Sequence, residues 1–288
     1  MNFSTDCIPC LFNQLAEIMD LCRADDHARR RIISRAGSLV ADFQYDCVPP
    51  VFAGRIMKII SEETGNSDPY SKEKEYSTYQ ARKHYPQLKK MRDMSSNKLL
   101  TSTEIAASGN IIDYGAKAHF DIRRELEKLF SGLESWPKDR FDYEDFTRDL
   151  DAAGRVLYLL DNCGEIYFDK ILIEQLLDQG KEVVAAVRGG PVLNDVTMAD
   201  AVEAGIDNIV RVIDNGTAFP GTVLEHCSRT FVDEFSGADI IISKGQGNFE
   251  TLESLKDGRI YFLFKVKCPV VARRSGCEFG SIVLKKNS

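Results

Sequence analysis

The second half of the chain contains a series of short, almost uninterrupted apolar segments, and this feature limits the fold more than any other. Four of them lie at residues 155–161 (RVLYLLD), 182–188 (EVVAAVR), 238–245 (ADIIISKG) and 259–267 (RIYFLFKVK). Segments with helical spacing of apolar residues separate them, as in IYFDKILIEQLLDQG. Apolar strands that alternate with amphipathic helices predict a parallel, doubly wound α/β sheet.

The first half of the chain has a different pattern, which is typical of helices. In LFNQLAEIMDLC, residues 11–22, apolar side chains recur at helical intervals. In the segment that follows Pro49 and Pro50, Gly65 is placed to end a helix. We therefore predict a helical N-terminal region over residues 1–150 and an α/β domain over residues 151–288.

Composition narrows the range of functions. The formal net charge is −7 and the pI about 5.3, whereas a general nucleic-acid binder usually carries a basic surface. No apolar stretch approaches the roughly 18 residues of a membrane span, and the N-terminus lacks the basic start and apolar core of a signal peptide. We expect a cytoplasmic protein without nucleic-acid or membrane partners, in which the eight cysteines are reduced.

The first apolar segment ends in two side chains that suit a hard metal ion. Carboxylate and amide oxygens, here Asp161 and Asn162, bind Mg²⁺ or Mn²⁺ well and accept other divalent ions. Cys163, Gly164 and Glu165 then open a helix, whose first backbone N–H groups attract an anion. A metal ion and a phosphate could share this turn. The alternative is a simple helix cap.

A second carboxylate follows the next predicted strand. Arg188 ends that strand, two glycines follow, and Asn194-Asp195 comes shortly afterwards. Ligands of open parallel sheets bind beyond the carboxyl ends of the strands, so Asp195 is expected at the same edge as Asp161. This pair could also cap the helix that begins near Thr197. Two such pairs on neighbouring strands favour a metal site.

A later strand ends in a lysine and two spaced glycines, Lys244-Gly245-Gln246-Gly247-Asn248. This pattern is typical of a phosphate cradle, in which Lys244 would neutralise phosphoryl oxygens and the backbone amides near Gly245 and Asn248 would bind them. It differs from the nucleotide P-loop, whose lysine follows the glycines. The alternative is a flexible turn with a solvated lysine.

Three further features are less specific. Asn110 and Asp113 are three residues apart, so a helix would place both on one face as a polar lip over the site or as a cap. Residues 68–98 hold eight Lys or Arg and four Asp or Glu, which indicates a solvated helix pair or a cationic wall for an anionic substrate. Cys7 and Cys10 form a C-x-x-C pair, which could be inert, metal-binding or redox-active.

Taken together, these motifs resemble those of the metal-dependent damage-control phosphatases, formerly a domain-of-unknown-function group, in their compact archaeal and bacterial branch. The resemblance covers most of the chain. It rests on five motifs in order, at residues 7–10, 109–113, 161–165, 194–197 and 244–248. It implies a helical N-terminal region packed on a Rossmann-like, doubly wound, mostly parallel sheet.

The resemblance also implies roles for individual residues. Asp161, Asn162 and Asp195 would hold a divalent ion such as Mn, Ni, Co or Mg. Lys244 and its glycine turn would bind phosphate, and Asn110 with Asp113 would line the site. The expected activity is hydrolysis of small phosphate monoesters, namely damaged or harmful phosphometabolites such as sugar phosphates or nucleotides. The resemblance leaves the oligomeric state open.

Two mechanisms and two rival functions remain at this stage. The ion could activate a bound water, or Asp161 could attack phosphorus and form an aspartyl phosphate. The first route is preferred because Asp161 is expected to be a ligand. A related branch of the family is described as a carboxyl methyltransferase, but the turn DNCGE has one glycine and the second strand ends in Arg188, which disfavours S-adenosylmethionine. A non-enzymatic metal or redox module built on the cysteines is the second rival.

Overall fold

The computed structural model describes residues 1–41, 47–109 and 138–288. The described helices are α1 Cys7–Leu21, α2 Asp26–Ala41, α3 Pro49–Thr64, α4 Ser71–Met94, α5 Lys98–Ser108, α6 Tyr143–Ala152, α7 Ile166–Asp178, α8 Met198–Glu203, α9 Arg229–Gly237, α10 Gly245–Leu252 and α11 Pro269–Ser275. The described strands are β1 Lys138–Phe141, β2 Arg155–Leu159, β3 Glu182–Val187, β4 Arg211–Asp214, β5 Ile240–Lys244, β6 Ile260–Lys265 and β7 Ile282–Lys286.

The seven strands form one sheet in the order β1-β7-β6-β5-β2-β3-β4. The five strands from β6 to β4 are parallel to one another, and β7 pairs antiparallel with β6. The predicted α/β fold with a mostly parallel sheet is confirmed. The strand β1 pairs with β7 and lies before residue 150, and that residue falls within α6. The division into two domains at residue 150 stays a prediction.

Helices cover both faces of the sheet, which explains why its strands are apolar throughout. In β2, Val156 and Tyr158 pack into the core cluster on one face, and Leu157 and Leu159 pack into the cluster on the other. Every side chain of β5 is buried. Sequence segments without an alternating polar side are therefore the expected form of these strands.

The helical region has its own apolar core. Side chains of α1, α2 and α3 form this third cluster, in which Ile18, Ile32 and Ile60 are fully buried. As the sequence predicts, the two prolines stand at the first turn of α3 and Gly65 ends it in a left-handed conformation with φ of 71°. Among the described helices, none is both long and apolar enough to cross a lipid bilayer.

Glu250 carries a buried carboxyl group whose ionisation opposes folding. Glu250 on α10 is 8% exposed, and burial raises its pKa from 4.5 to about 7, against the opposing effects of Gln246 and the N-terminal ammonium. Because the folded pKa lies above the unfolded one, the folded state binds more protons between these values. The contribution of this carboxyl group to the free energy of unfolding is fully present below about pH 4.5, where the group is protonated in both states. The contribution decreases as the pH rises towards 7.

We therefore predict that Glu250→Gln raises the free energy of unfolding at pH 8 by on the order of 1 to 3 kcal/mol relative to the unsubstituted chain. The amide keeps an oxygen for the hydrogen bond from Gln246, which measures 2.8 Å. Urea unfolding of both chains from pH 4.5 to 8 measures the difference. A difference that does not change with pH would contradict the assignment.

Candidate active site

The candidate site lies where the chain reverses its direction across the sheet. From β2 the chain proceeds outward through β3 and β4, while β5 and β6 lie on the other side of β2. Loops that follow neighbouring parallel strands diverge at such a point and leave a crevice for ligands. Asp161 follows β2 and Lys244 ends β5, so two sequence motifs meet at this crevice.

Backbone hydrogen bonds join the loops after β2 and β3. The amide of Cys163 donates to the carbonyl of Asn194 at 2.9 Å, and the amide of Val196 donates to the carbonyl of Asp161 at 2.8 Å. Asn162 and Asp195 form an isolated antiparallel bridge. The three predicted metal-binding side chains therefore leave adjacent backbone positions, and all three residues are buried at 7% exposure or less.

Arg188 lies between the two aspartates. Its Nε donates to Oδ2 of Asp195 at 2.6 Å, and one terminal nitrogen lies 3.5 Å from Oδ1 of Asp161. The other terminal nitrogen donates to Oδ1 of Asn248 at 3.3 Å. The guanidinium is 2% exposed, so it partly neutralises the two carboxylates and holds them in place.

A single guanidinium does not balance the negative charge at this site. Burial holds the pKa of Asp161 well above its usual range, and the neighbouring carboxylates Asp195 and Glu165 raise it further, although Arg188 opposes them. The positive charge near Asp161 is thus smaller than the negative charge of the carboxylates around it.

The count of buried charges gives the size of this deficit. Four buried carboxyl groups, those of Asp161, Glu165, Asp169 and Asp195, are accompanied by the two buried cations Lys244 and Arg188. If all six were ionised, two negative charges would be in excess, which is the charge that one divalent cation neutralises. Oxygen ligands of this kind suit Mg²⁺, Mn²⁺ and similar ions.

The predicted ligand set therefore fits a divalent ion in donor chemistry and charge. Within residues 1–41, 47–109 and 138–288, no group of three or more His, Cys, Asp or Glu side chains stands in a metal-binding arrangement. The predicted set contains two carboxylates and one amide. The amide nitrogen of Asn162 donates to Asp161 at 2.9 Å and to Glu165 at 2.7 Å, which fixes its side chain beside the carboxylates.

Lys244 lies beneath this group and is fully buried. Its Nζ donates to the carbonyl of Ala106 at 2.8 Å, to Oε2 of Glu165 at 2.8 Å and to Oδ1 of Asp169 at 2.7 Å. A lysine ammonium has three protons, so all of them are bound by protein acceptors. Burial alone would lower the pKa of Lys244, but the carboxylates of Asp169 and Glu165 outweigh it and raise that pKa.

The glycine turn after Lys244 gives room to the Asp161 carboxylate. A Cβ on Gly245 would stand 1.9 Å from Oδ2 of Asp161, and the backbone has φ of 79°. The predicted turn forms the first turn of α10. Asn248 on that helix donates to the carbonyl of Lys244 at 2.8 Å and accepts from Thr222 at 2.8 Å, so both ends of its side chain are bound.

The other residues predicted for the site are those of the turn after Asn162 and the pair Asn110 and Asp113. Cys163, Gly164 and Glu165 form a buried 3-10 turn before α7, and the amides of Cys163 and Glu165 donate to protein carbonyls. Burial keeps the pKa of the Cys163 thiol well above its usual value. Asn110 and Asp113 lie outside the described residues, whereas Gly109 packs against the Glu165 side chain.

Residues 68–98, the basic segment, contain both buried and exposed Lys and Arg side chains. Lys74 and Arg92 are buried and form ion pairs with acidic side chains at 3.2 Å or less. Lys72 and Arg82 instead line a cavity of about 330 Å³ that also includes Thr78, whose hydroxyl lies 3.5 Å from the carbonyl of Cys163. Glu75 and Glu203 line the same cavity, so its wall carries both charges.

Arg188 and Asp169 contribute to the site, although the sequence motifs assign no role to either. Arg188 directly follows the apolar strand β3, and a charged residue at that buried position was an available signal. Asp169 stands four residues after Glu165, the spacing that places two carboxylates on one helix face. Asp169 and Glu165 share the partner Lys244, which is 75 residues after Asp169 and 79 after Glu165, so these contacts are not visible in the sequence.

Replacing Gly245 tests the close contact with Asp161. We predict that Gly276→Ala lowers the free energy of unfolding by about 1 kcal/mol, because Gly276 has a similar φ of 71° but open space around it. Gly245→Ala adds the contact with Asp161 and is expected to cost about 1 to 3 kcal/mol more. Urea unfolding measures both, and equal losses would exclude the contact.

Replacing Lys244 tests the buried ion cluster. Lys244→Met should lower the free energy of unfolding by about 3 to 5 kcal/mol, because Glu165 and Asp169 lose their buried partner. The control is Arg229→Ala, which breaks an exposed ion pair with Asp233 and should have little effect. Thermal and urea unfolding measure the changes. Comparable losses in the two variants would show that the buried cluster adds nothing specific.

Comparison with known proteins identifies close relatives over the whole chain. Residues 3–283 match the family described as damage-control phosphatase ARMT1-like domain. A damage-control phosphatase of Pyrococcus horikoshii is 35% identical, with 100% of this chain and 99% of that protein covered. A damage-control phosphatase of Archaeoglobus fulgidus is 29% identical, with 99% of each covered.

A solved structure shows the same fold. The crystal structure of a DUF89 family protein from Pyrococcus horikoshii superposes with a TM-score of 0.91 at 33% identity and covers 100% of both chains. The relatedness seen in the sequence motifs thus extends to the fold. This chain belongs to the damage-control phosphatase ARMT1-like family.

Proposed function

We propose that this protein is a metal-dependent phosphatase that hydrolyses small phosphate monoesters, among them damaged or harmful phosphometabolites. One observation carries the proposal: hydrogen bonds between the loops after β2 and β3 bring Asp161, Asn162 and Asp195 together beside Arg188. The relatives from Pyrococcus horikoshii and Archaeoglobus fulgidus are named damage-control phosphatases, which supports the same reaction.

The side chains of Asp161, Asn162 and Asp195 would hold the divalent ion. When bound, the ion would supply positive charge that polarises the phosphoryl group. Arg188 is the second source of positive charge, because its planar guanidinium suits paired oxygens of a phosphate and is already fixed between the aspartates. Phosphoryl transfer depends mainly on such positioning and charge stabilisation.

Lys244 holds the predicted metal ligands in position through hydrogen bonds. Its ammonium is bound by Glu165 and Asp169, and Glu165 in turn accepts from the amide of Asn162. Lys244 therefore orients the ligand set through Glu165. The direct contact with phosphate that the sequence suggested would require Lys244 to release one of its present acceptors.

Burial of the ligand set favours small substrates. Asp161, Asn162 and Asp195 are each at most 7% exposed, so only a small group such as a phosphoryl group can contact them. Thr78 lines the cavity of about 330 Å³ and its hydroxyl lies 3.5 Å from the carbonyl of Cys163, which supports assigning the organic part of the substrate to this cavity. Its lysine, arginine, tyrosine and glutamate side chains can form hydrogen bonds with a polar metabolite.

The activity test combines a set of phosphate monoesters with four ions, Mn²⁺, Ni²⁺, Co²⁺ and Mg²⁺. We predict that Asp161→Asn and Asp195→Asn each lower kcat/KM by about 100-fold or more, because each removes a charged ligand. The control is Asp214→Asn, since Asp214 is an exposed residue at the end of β4 on the same edge of the sheet. It should retain activity.

Calorimetric titration with Mn²⁺ provides a second measurement that does not depend on turnover. Both ligand variants should bind Mn²⁺ more weakly than the unsubstituted chain, and Asp214→Asn should bind it equally well. Full turnover in both ligand variants would refute the proposed site. Failure of the unsubstituted chain to hydrolyse any ester with any of the four ions would refute the phosphatase function itself.

The choice between bound-water attack and an aspartyl phosphate can also be tested. The bound-water route is favoured here because Asp161 already faces Asn162 and Arg188 as part of the ligand set. A crystal grown with a fluoride mimic of phosphate should therefore show no covalent bond to Asp161. A mimic bonded to its carboxylate would establish the nucleophilic route.

A further inference from the structure

Three cysteines that have no part in the proposed phosphatase site are neighbours, because Cys7 and Cys10 both interact electrostatically with Cys268. Cys7 begins α1, Cys10 stands one turn later, and Cys268 caps the start of α11. An ion pair of 2.6 Å between Asp6 and Arg273 joins the starts of α1 and α11. The C-x-x-C motif therefore has a third thiol as its neighbour, which the sequence does not show.

The surroundings of these thiols are polar. Gln246 donates to the sulfur of Cys268 at 3.8 Å and to the carboxyl of Glu250 at 2.8 Å. Burial raises the pKa of Cys7 and of Cys10, and the neighbouring Glu250 and Cys268 raise both further. The thiols are thus mostly protonated at neutral pH, so exchange proceeds through a small thiolate fraction and becomes faster as the pH rises. Cys7, Cys10 and Cys268 are free thiols in this structure.

The spacing of Cys7 and Cys10 suits a disulfide when the first turn of α1 loosens, because Cβ atoms three residues apart in a helix are about 5 to 6 Å apart and a disulfide requires about 3.5 to 4.5 Å. Residues three apart in an α-helix have Cα atoms about 5 Å apart, within the range of about 4.4 to 6.8 Å that disulfides require. Cys10 is exposed and Cys7 is half-buried. The Cys10 thiol can therefore react with a reagent from solvent, and the Cys7 thiol is its neighbour for a second step.

We propose that Cys7 and Cys10 form a redox-active dithiol that undergoes exchange with low-molecular-weight disulfides of the glutathione type. The dithiol takes no part in the proposed phosphatase chemistry, although Gln246 of the glycine turn after Lys244 contacts its neighbour Cys268. The proposal does not depend on the phosphatase function. It adds a second reactive site where the helical region meets the catalytic half of the chain.

The reaction proceeds in two balanced steps. The Cys10 thiolate attacks one sulfur of the small disulfide, so that a mixed disulfide forms at Cys10 and one small thiolate leaves. The Cys7 thiolate then attacks the sulfur of Cys10, which releases the second small thiolate and forms the Cys7–Cys10 bond. The two departing thiolates take up the two protons from the cysteines, and two electrons pass from the protein to the small disulfide.

The experiment exposes the full-length reduced protein to oxidised glutathione, blocks the remaining thiols by alkylation and maps the products by mass spectrometry. We expect the unsubstituted chain to lose two of its eight thiols and to contain a Cys7–Cys10 disulfide. Cys7→Ser should stop at a glutathione adduct on Cys10. Cys10→Ser should form neither product, whereas Cys268→Ser should still form the disulfide.

Cys22→Ser is the matched control, because Cys22 is a half-buried thiol that follows the same helix. It should behave like the unsubstituted chain. Three results would overturn the proposal: a crosslink from Cys268 in place of Cys7–Cys10, adducts spread equally over Cys22 and Cys227, or purified protein in which tightly bound zinc protects these thiols until a chelator removes it. Circular dichroism and thermal unfolding of the reduced variants, measured in parallel, show whether each one has folded.

Discussion

The fully buried ammonium group of Lys244 is the interaction on which the rest of the site depends. It binds a carbonyl of α5 and two carboxylates at the start of α7, while its own backbone ends β5. Three elements that are distant in sequence are thereby held at fixed positions. A buried cation with its partners removed would be very costly, so these elements are expected to fold into this arrangement together.

Hydrogen bonds connect Lys244 to the predicted metal ligands. Glu165 bonds to Lys244 on one oxygen and to Asn162 on the other, and Asn162 bonds to Asp161. The orientation of the upper side chains is thus set by a chain of hydrogen bonds that begins in the core. Such support keeps ligand oxygens in place before a ligand arrives, which lowers the cost of binding.

The same arrangement concentrates negative charge, which is unfavourable for stability. Asp161 has a pKa well above its usual range because it is buried near Asp195 and Glu165. Proteins tolerate such unfavourable clusters mainly at functional sites, where a bound cation or substrate compensates for them. The N-terminal helices take part in this site directly, because Ala106 and Gly109 contact the Lys244 and Glu165 side chains.

The sequence predicted the elements of the fold best where a local pattern has a single physical cause. Strands buried on both faces must be apolar throughout, so β2, β3 and β5 could be identified, and polar residues after them had to lie at one edge of the sheet. The proline start and glycine end of α3 followed from backbone conformation alone.

Other features could be decided only by tertiary structure. The sequence marks Lys244 as polar at a strand end, but only folding determines that its protons meet Glu165 and Asp169 and that Arg188 lies between two aspartates. The sequence by itself thus determined the sheet, its ordered motifs and the edge at which they gather. The tertiary structure decided which charges face one another, because the free energy of a buried charge depends on partners that are distant in sequence.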